Sequence, residues 1–478
     1  MSETKRTQLA VIGGGPGGYA AAFMAADLGL DATIIDQEDN PGGTCLYRGC
    51  IPSKALLHAA KVITDAKEAD YWGIHFEKPK LDIDRLRQST NEVVQRMTQG
   101  LGQLCKARKV QYMKGLANFS DSQRVTVYKP DGREETLAFE YAIIAAGSRP
   151  AILGKPLDSP RLMSSTDALR VESIPKSLLV VGGGYIGLEL GTVYATLGAK
   201  VTVVEMTGGV LPGVDQDLVK PLAQRLENTF EDIYLDTTVK KMSKQKNGIR
   251  VEMEGPEVKK AGRIFERVLV SIGRKPNSSG LGLKNTSVET DDRGYIKVDA
   301  QRRTADPNIF AIGDVVGGAM LAHKASAEGR VAAEVIAGKD VVFEPMAIPA
   351  VVFTDPEIAW CGLTETQAKE QKLDVAVTRF PWAASGRATT LNRPQGLTKL
   401  ITQKDSGQIL GMGIVGAGAG ELIGEGVLAI EMGALASDLD LTIHPHPTLS
   451  ETLMESAAAL FGQATHFHRP RKRGKNEE

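Results

Sequence analysis

Two cysteines five residues apart, in GGTCLYRGCIPSK (Gly42 to Lys54), are the first side chains in this chain whose spacing invites chemistry. Structural zinc sites draw on four ligands, commonly supplied as two close pairs. The other cysteines, Cys105 and Cys361, stand alone in QLCKA and AWCGL and read as small buried apolar residues, so no metal centre is expected. A disulfide between Cys45 and Cys50 meets a geometric obstacle. On a regular helix five residues rise about 7.5 Å, beyond the limit of about 7 Å between bridged Cα atoms. Gly42, Gly43 and Gly49 supply the freedom to distort the backbone, and a strained bridge is easily reduced. The spacing therefore points to thiol–disulfide exchange rather than to a staple. Lys54, four residues beyond Cys50, either biases the charge of the pair from the next helical turn or is a solvated lysine.

Thiol chemistry near neutral pH needs a base, because the thiolate is the nucleophile. TIHPHPTLSETL offers His446, followed by Pro447, a residue suited to a helix start, and then by Glu451. A carboxylate on one ring nitrogen fixes the tautomer and raises the basicity of the other. Thr448-x-x-Glu451 is equally a capping-box pattern in which Glu451 serves only the backbone, and the two readings stand level. His444 is a rival base without an obvious carboxylate.

These groups need elements to position them, and the sequence repeats one. QLAVIGGGPGGYAAAFMAADLGLDATIID recurs as SLLVVGGGYIGLELGTVYATLGAKVTVVE, 169 residues later (Gly13 to Gly182). Each copy holds an apolar run, a glycine turn, a helical stretch and a second β-branched run, which makes a βαβ unit. Gly13, Gly15 and Gly18 fill G-x-G-x-x-G in the first copy, and Gly182, Gly184 and Gly187 fill it in the second. Such glycines allow a tight turn, close approach to a pyrophosphate, and helix-on-strand packing. Both copies end in an acid, Asp36 and Glu205, at the distance from which a ribose hydroxyl is held. Gly411, Gly413 and Gly416 match the same pattern inside the strand-like QILGMGIV, with no strand before them, and read as packing glycines.

The charge of Glu205 suits an unphosphorylated adenine ribose, so the second site favours NAD over NADP; Met206 and Thr207 follow it rather than a basic pair. Asp36 sets the same preference in the first site. NAD carries hydride and a dithiol carries two electrons and two protons. The usual converter between them is a flavin, which places FAD in the first site. YAIIAAGSRP, a β-branched run ending at Gly147, and NIFAIGDV, which sets Asp314 after a strand, are further junctions suited to a large cofactor; Asp314 taken alone reads as a turn or helix-cap residue.

A chain of 478 residues with 42% hydrophobic side chains and 57 basic against 58 acidic groups is an α/β globular protein of several domains, with no charge excess for nucleic acid. Four cysteines exclude a disulfide scaffold. No apolar run reaches transmembrane length and no signal segment precedes the first glycines, so a cytoplasmic location with no membrane association is expected; a transit peptide already removed would leave no trace.

In order and spacing, GGGPGG, GGTCLYRGCIPSK, IIAAGSRP, GGGYIGLELG, VEM, SIGRKPN, IFAIGDV, LAHKA and HPTLSE resemble the pyridine nucleotide-disulfide oxidoreductase family, and within it the dihydrolipoamide dehydrogenases. The resemblance implies two Rossmann-like domains, for FAD (1–149) and NAD (150–276), a central domain completing the FAD site (277–347) and an α+β dimerisation domain (348–478). It implies that Cys50 faces the flavin, that Cys45 exchanges with lipoamide, and that His446, oriented by Glu451, arrives from the partner of a homodimer. FAD-contacting positions would include Gly43, Thr44, Lys54, Ala117, Gly147, Asp314 and Ala322. NAD-contacting positions would include Gly182, Gly184, Tyr185, Ile186, Glu205, Val239, Gly273 and Arg274. The implied activity is NAD-dependent oxidation of dihydrolipoamide on lipoylated proteins, with the acyltransferase cores of 2-oxo acid dehydrogenase complexes as partners. An NAD(P)H-dependent reductase of small disulfides is the alternative, and a non-catalytic dinucleotide-binding assembly subunit a remote one. The sequence departs from its relatives at Asp36, Ala146, Tyr47 and Arg48. The tail HFHRPRKRGKNEE reads as disordered and solvated, with an acidic partner as the other reading.

Overall fold

The computed structural model describes residues 4–154, 157–258 and 262–468. It divides into two units: the chain up to Ala59 with Glu77–Ser173 and Leu269–Glu344, and Ala60–Phe76 with Ile174–Val268 and the chain from Pro345.

In the first unit the strand Lys5–Ile12 lies between Ala32–Asp36 and Glu134–Ile144, parallel to both. Gln111–Lys114 continues the parallel sheet on one side and Ile309–Ala311 on the other. Alternate side chains of one strand enter two different cores. Leu9 and Val11 pack with Ala21, Ala25, Ile312 and Ala332, whereas Ala10 and Ile12 pack with Ile35, Phe119, Val125 and Ala311. A strand covered on both faces must be apolar at every position, which is why AVI before the glycines shows no alternation. The helices Pro16–Asp27 and Ala322–Ile336 cross on small residues: a Cβ on Gly329 would stand 2.5 Å from the Gly17 carbonyl oxygen.

The second unit repeats the plan with parallel strands Ser177–Val181, Lys200–Val204 and Asp232–Tyr234. Its C-terminal part is a five-stranded sheet, covered by the helices Ala419–Glu431 and Glu451–Phe461 around a core that includes Trp382, Leu400, Met412 and Leu453. Gly411, Gly413 and Gly416 lie in the strand Ile409–Gly416, where added Cβ atoms would meet the Leu363 carbonyl oxygen, Leu218 and Trp382. They are packing glycines, as expected. Lys399 is buried in this sheet and ion-paired to Asp215 at 2.6 Å, Asp217 at 2.7 Å and Glu365 at 3.6 Å.

Two expectations are corrected. Pro447 does not start a helix, because the helix begins at Glu451, after Thr448 and Glu451 have bonded to one another. The tail is ordered at its outset: His466 Nδ1 lies 2.7 Å from buried Glu455, and Phe467 stacks edge-on against Phe380. Residues 469–478 of that tail lie outside the described residues.

Candidate active site

Gly49 (φ −146°, ψ −113°) breaks the cysteine segment into two helices, Gly43–Arg48 and one that starts at Cys50. A Cβ there would stand 2.8 Å from the Thr44 carbonyl oxygen, so glycine is what permits the break. The break removes the five-residue helical rise that kept the cysteines apart. Both are thiols, and a side-chain hydrogen bond links them. That bond, burial and the charge of Cys50 push the Cys45 thiol far up, and Lys54 only partly opposes them. The two sulfurs thus sit in unequal surroundings, Cys45 partly buried and Cys50 exposed, a distinction that spacing alone could not draw. Tyr19, which sequence reasoning missed, faces the same pair: burial first, then the charges of Cys45 and Cys50, raise its hydroxyl.

The two glycine turns superpose in their internal coordinates. Gly13 and Gly182 have φ +107° and +106°, and Gly15 and Gly184 are the N-caps of the helices that follow, with extended backbone. At Gly18 an added Cβ would stand 1.9 Å from the Gly13 carbonyl oxygen, which fixes the third glycine on packing grounds. Each terminal acid also holds its loop. Asp36 Oδ2 accepts from the Gly14 N–H at 2.6 Å, and Glu205 Oε2 accepts from the Gly183 N–H at 2.7 Å. Glu205 Oε1 accepts further bonds from the Thr207 N–H and hydroxyl, both at 2.8 Å. Burial pushes the Asp36 carboxyl up, against the Gly14 N–H and the Arg48 guanidinium.

Further pieces of the first unit converge on its loop. Gly43 approaches Gly15 so closely that a Cβ would stand 2.5 Å from the Gly15 Cα. Asp314 occupies the first turn of the short helix Gly313–Val316, after the strand Ile309–Ala311, and accepts a hydrogen bond from Ser148 Oγ. Arg274 donates to Ser148 Oγ and to the Ser148 carbonyl oxygen, each at 2.7 Å, and lies 3.9 Å from Asp314. The turn before Asp314 is pinned by fully buried Glu328, which accepts from the Gly313 N–H at 2.6 Å and is itself paired with Lys324 and Arg302. Ser148 lies in IIAAGSRP without being singled out there, and Glu328 belongs to no motif. Ala322 opens the helix Ala322–Ile336 and Ala117 lies in the strand Leu116–Asp121; in the second unit Tyr185 and Ile186 open the helix after Gly184, and Val239 sits in the strand Thr238–Gln245. Gly147 and Gly273 both take positive φ, +69° and +108°. A backbone cradle free of Cβ atoms, ending in a carboxylate, fits a dinucleotide in each unit.

His446 Nδ1 lies 2.8 Å from Glu451 Oε1, and the Thr448 N–H donates to Glu451 Oε2 at 2.7 Å. The carboxylate thus serves imidazole and backbone at once, but the capping box itself is not formed, because the helix starts at Glu451 with Ser450 as its N-cap. Burial alone would raise the Glu451 carboxyl, but the Thr448 N–H and His446 outweigh it and hold the group below its ordinary range. With Nδ1 committed, Nε2 is the nitrogen left to take a proton. His444 differs, because both its nitrogens are engaged, Nδ1 by the Thr442 carbonyl oxygen at 2.8 Å and Nε2 by Glu425 at 2.7 Å. It has no lone pair to offer unless that clamp opens. Among the described residues no group of three or more His, Cys, Asp and Glu could hold a metal ion, and no helix is long and apolar enough to cross a membrane.

Comparison with known proteins places this geometry in context. Residues 7–329 match the model of the pyridine nucleotide-disulphide oxidoreductases, and residues 348–457 match the dimerisation domain of the same proteins. The chain is 49% identical over 466 residues to a dihydrolipoyl dehydrogenase of Haemophilus influenzae, covering 97% of each, and 47% identical over 466 residues to one of Vibrio cholerae, covering 97% of this chain and 98% of the other. Among solved structures it resembles LpdA from Mycobacterium tuberculosis (TM-score 0.89, 26% identity, covering 96% of this chain and 100% of that one). It also resembles the HOCl-induced flavoprotein disulfide reductase RclA from Escherichia coli (TM-score 0.85, 27% identity, covering 95% and 100%).

Proposed function

The chain belongs to the pyridine nucleotide-disulphide oxidoreductase family, and from that premise we propose that it oxidises dihydrolipoamide carried on lipoylated proteins and reduces NAD. It is an FAD- and NAD-dependent oxidoreductase. The observation that carries the reading is the break at Gly49, which brings Cys45 and Cys50 into hydrogen-bond contact.

Dihydrolipoamide brings two thiols. His446 Nε2 takes a proton from one, and the resulting thiolate attacks the Cys45 sulfur of the oxidised pair and displaces Cys50 as thiolate. The second substrate thiol then attacks the substrate sulfur of the mixed disulfide, so lipoamide leaves; the departing Cys45 sulfur takes the proton held by His446 and His446 accepts that of the second thiol, which leaves one proton on Cys45 and one on His446. When bound, FAD supplies the two-electron conversion between the Cys45–Cys50 dithiol and NAD. Lys54, near the pair, stabilises the negative charge, and Glu451 keeps His446 in the tautomer with a free Nε2. In the first unit the glycine loop with Asp36 and the Ser148–Asp314 pair would hold FAD; in the second the loop with Glu205 would hold NAD. The domain limits 1–149, 150–276, 277–347 and 348–478 belong to the same reading.

The dimerisation-domain match supports a homodimer, in which His446 and Glu451 serve the cysteines of the partner subunit. Lipoyl domains on acyltransferase cores in the cytoplasm are the partners that fit this chemistry. The test is reduction of the FAD holoenzyme by one equivalent of NADH. Wild type develops a long-wavelength thiolate-to-flavin absorption band and Cys50→Ser does not, whereas Cys45→Ser, with no disulfide to reduce, shows the band before NADH is added. A wild type without the band, or a Cys50→Ser variant that keeps it, overturns the roles given to the two sulfurs.

A further inference from the structure

Tyr47 and Arg48 stand between the two cysteines, and the mechanism uses neither. They form one wall of a cavity of about 250 Å³ confined to the first unit. Arg48 ends the helix Gly43–Arg48, Arg87 comes from the helix Ile83–Ala107, and Arg170 follows the helix Ser165–Ala168, so three arginines from three separate elements line one space. No aspartate or glutamate lines it. Each arginine has an acid elsewhere: Arg48 pairs with Glu38, Arg87 with Asp84 at 2.9 Å and Arg170 with Asp167 at 3.9 Å. These arginine side chains are 37%, 41% and 62% exposed, and ion pairs this open to water hold weakly. A guanidinium has five N–H donors, so each keeps donors in hand beyond its surface partner.

The rest of the lining mixes polar Thr90, Asn91 and Thr166 with apolar Pro52, Leu56, Val94, Leu169 and Val171. Val171 is fully buried with φ +45°, a conformation that a β-branched side chain rarely adopts. Backbone strain of this kind clusters at ligand sites, because the surrounding structure must be built to keep it. We infer that this cavity is a binding site for a small organic polyanion, whose acidic groups lie on Arg48, Arg87 and Arg170 and whose carbon body lies on Val94 and Leu169. Planar guanidinium forks favour phosphate or carboxylate over a point-charge anion such as chloride. An occupant would draw on Arg48, whose charge also acts on Asp36 and so reaches the first dinucleotide loop.

The test uses the FAD holoenzyme with NAD at saturation, so that neither glycine loop is open to a phosphate. Inorganic pyrophosphate and citrate are titrated separately by calorimetry at ionic strength fixed with sodium chloride. Saturable one-to-one binding of either supports the site, and which of the two binds tells phosphate from carboxylate as the natural acidic group. Arg87→Gln/Arg170→Gln should weaken that binding at least about tenfold per lost guanidinium while flavin content and NAD reduction stay at wild-type levels. Arg170→Gln alone, at the most exposed of the three positions, gives the same reading if the double variant folds poorly. No saturable heat with either anion, or an affinity unchanged in these variants, overturns the proposal.

Discussion

Replacing Glu451 by glutamine tests the base more sharply than replacing it by alanine. Two donors converge on this carboxylate, the His446 Nδ1–H at 2.8 Å and the Thr448 N–H at 2.7 Å. A carboxylate accepts both, whereas an amide has one accepting oxygen and one donating nitrogen. The Thr448 N–H cannot reverse its role, so the amide oxygen must face it and the NH₂ must face His446. Nδ1 then becomes an acceptor, the ring proton moves to Nε2, and the base has lost its lone pair. General-base catalysis contributes about 10²–10⁴-fold, so Glu451→Gln should lose that factor in the rate of disulfide reduction by dihydrolipoamide, about 3–5 kcal/mol of barrier. Alanine leaves the imidazole free to choose its tautomer, and Glu451→Ala should be no worse than Glu451→Gln. The assay is a rapid-mixing measurement of flavin reduction by dihydrolipoamide, with reduction by NADH as the control because it needs no base at His446. A glutamine variant within threefold of wild type, or one clearly more active than alanine, would refute the tautomer argument.

Three further outcomes are expected. Glu205→Gln removes the charge that opposes a 2′-phosphate, so in steady-state kinetics the preference for NAD over NADP should fall by about tenfold, roughly 1.4 kcal/mol; an unchanged ratio would show that Glu205 does not face the ribose. Gly18→Ala drives a Cβ to 1.9 Å from the Gly13 carbonyl oxygen, an overpacking that costs about 1–3 kcal/mol or more, and should yield protein depleted in flavin by absorbance. Lys399→Met leaves buried Asp215 without its cation, while Asp217 keeps Arg379 at 2.7 Å, and should cost about 3–5 kcal/mol in urea unfolding at neutral pH. Burial alone would raise these two carboxyls, but Lys399 and its neighbouring donors hold both below their ordinary range. Their contribution in wild type is therefore complete above the unfolded carboxylate value of about 3.9 and fades as pH falls through the lower folded values. The gap between wild type and variant should close below about pH 4; a gap that persists there would place the stabilisation elsewhere.

The repeated βαβ units were legible because their signals are local: glycines where a Cβ cannot fit, uninterrupted apolar strands, and an acid at a fixed distance. The cysteine pair was legible as chemistry but not as geometry, since the break at Gly49 depends on how the Thr44 carbonyl closes over it. His446 and Glu451 lie five residues apart and could be paired on paper. Glu425, which engages His444, lies on another helix with no motif to announce it, and Glu328, which pins the Asp314 turn, is tied to Gly313 only through tertiary packing. The same reason hid the grouping of the chain. Ala60–Phe76 joins the second unit through partners such as Arg393, which pairs with Asp65 at 3.0 Å and Glu68 at 2.7 Å across more than three hundred residues of sequence.

The three-part make-up of the first unit bears on how the protein is born. Leu9 and Val11 reach their buried state only beside Ile312, Ala332 and Ala333, and the sheet that holds Gly13 gains its outer strand only with Ile309–Ala311. At synthesis rates of about 5–20 residues per second, an apolar strand made in the first second of translation waits tens of seconds for its covering helix. The strands and helices of Ile174–Val268 meet no such delay, because their partners are close in sequence. The first dinucleotide cradle to leave the ribosome is therefore the later one to close, and the nascent chain must pass that interval with one face of its apolar strand uncovered.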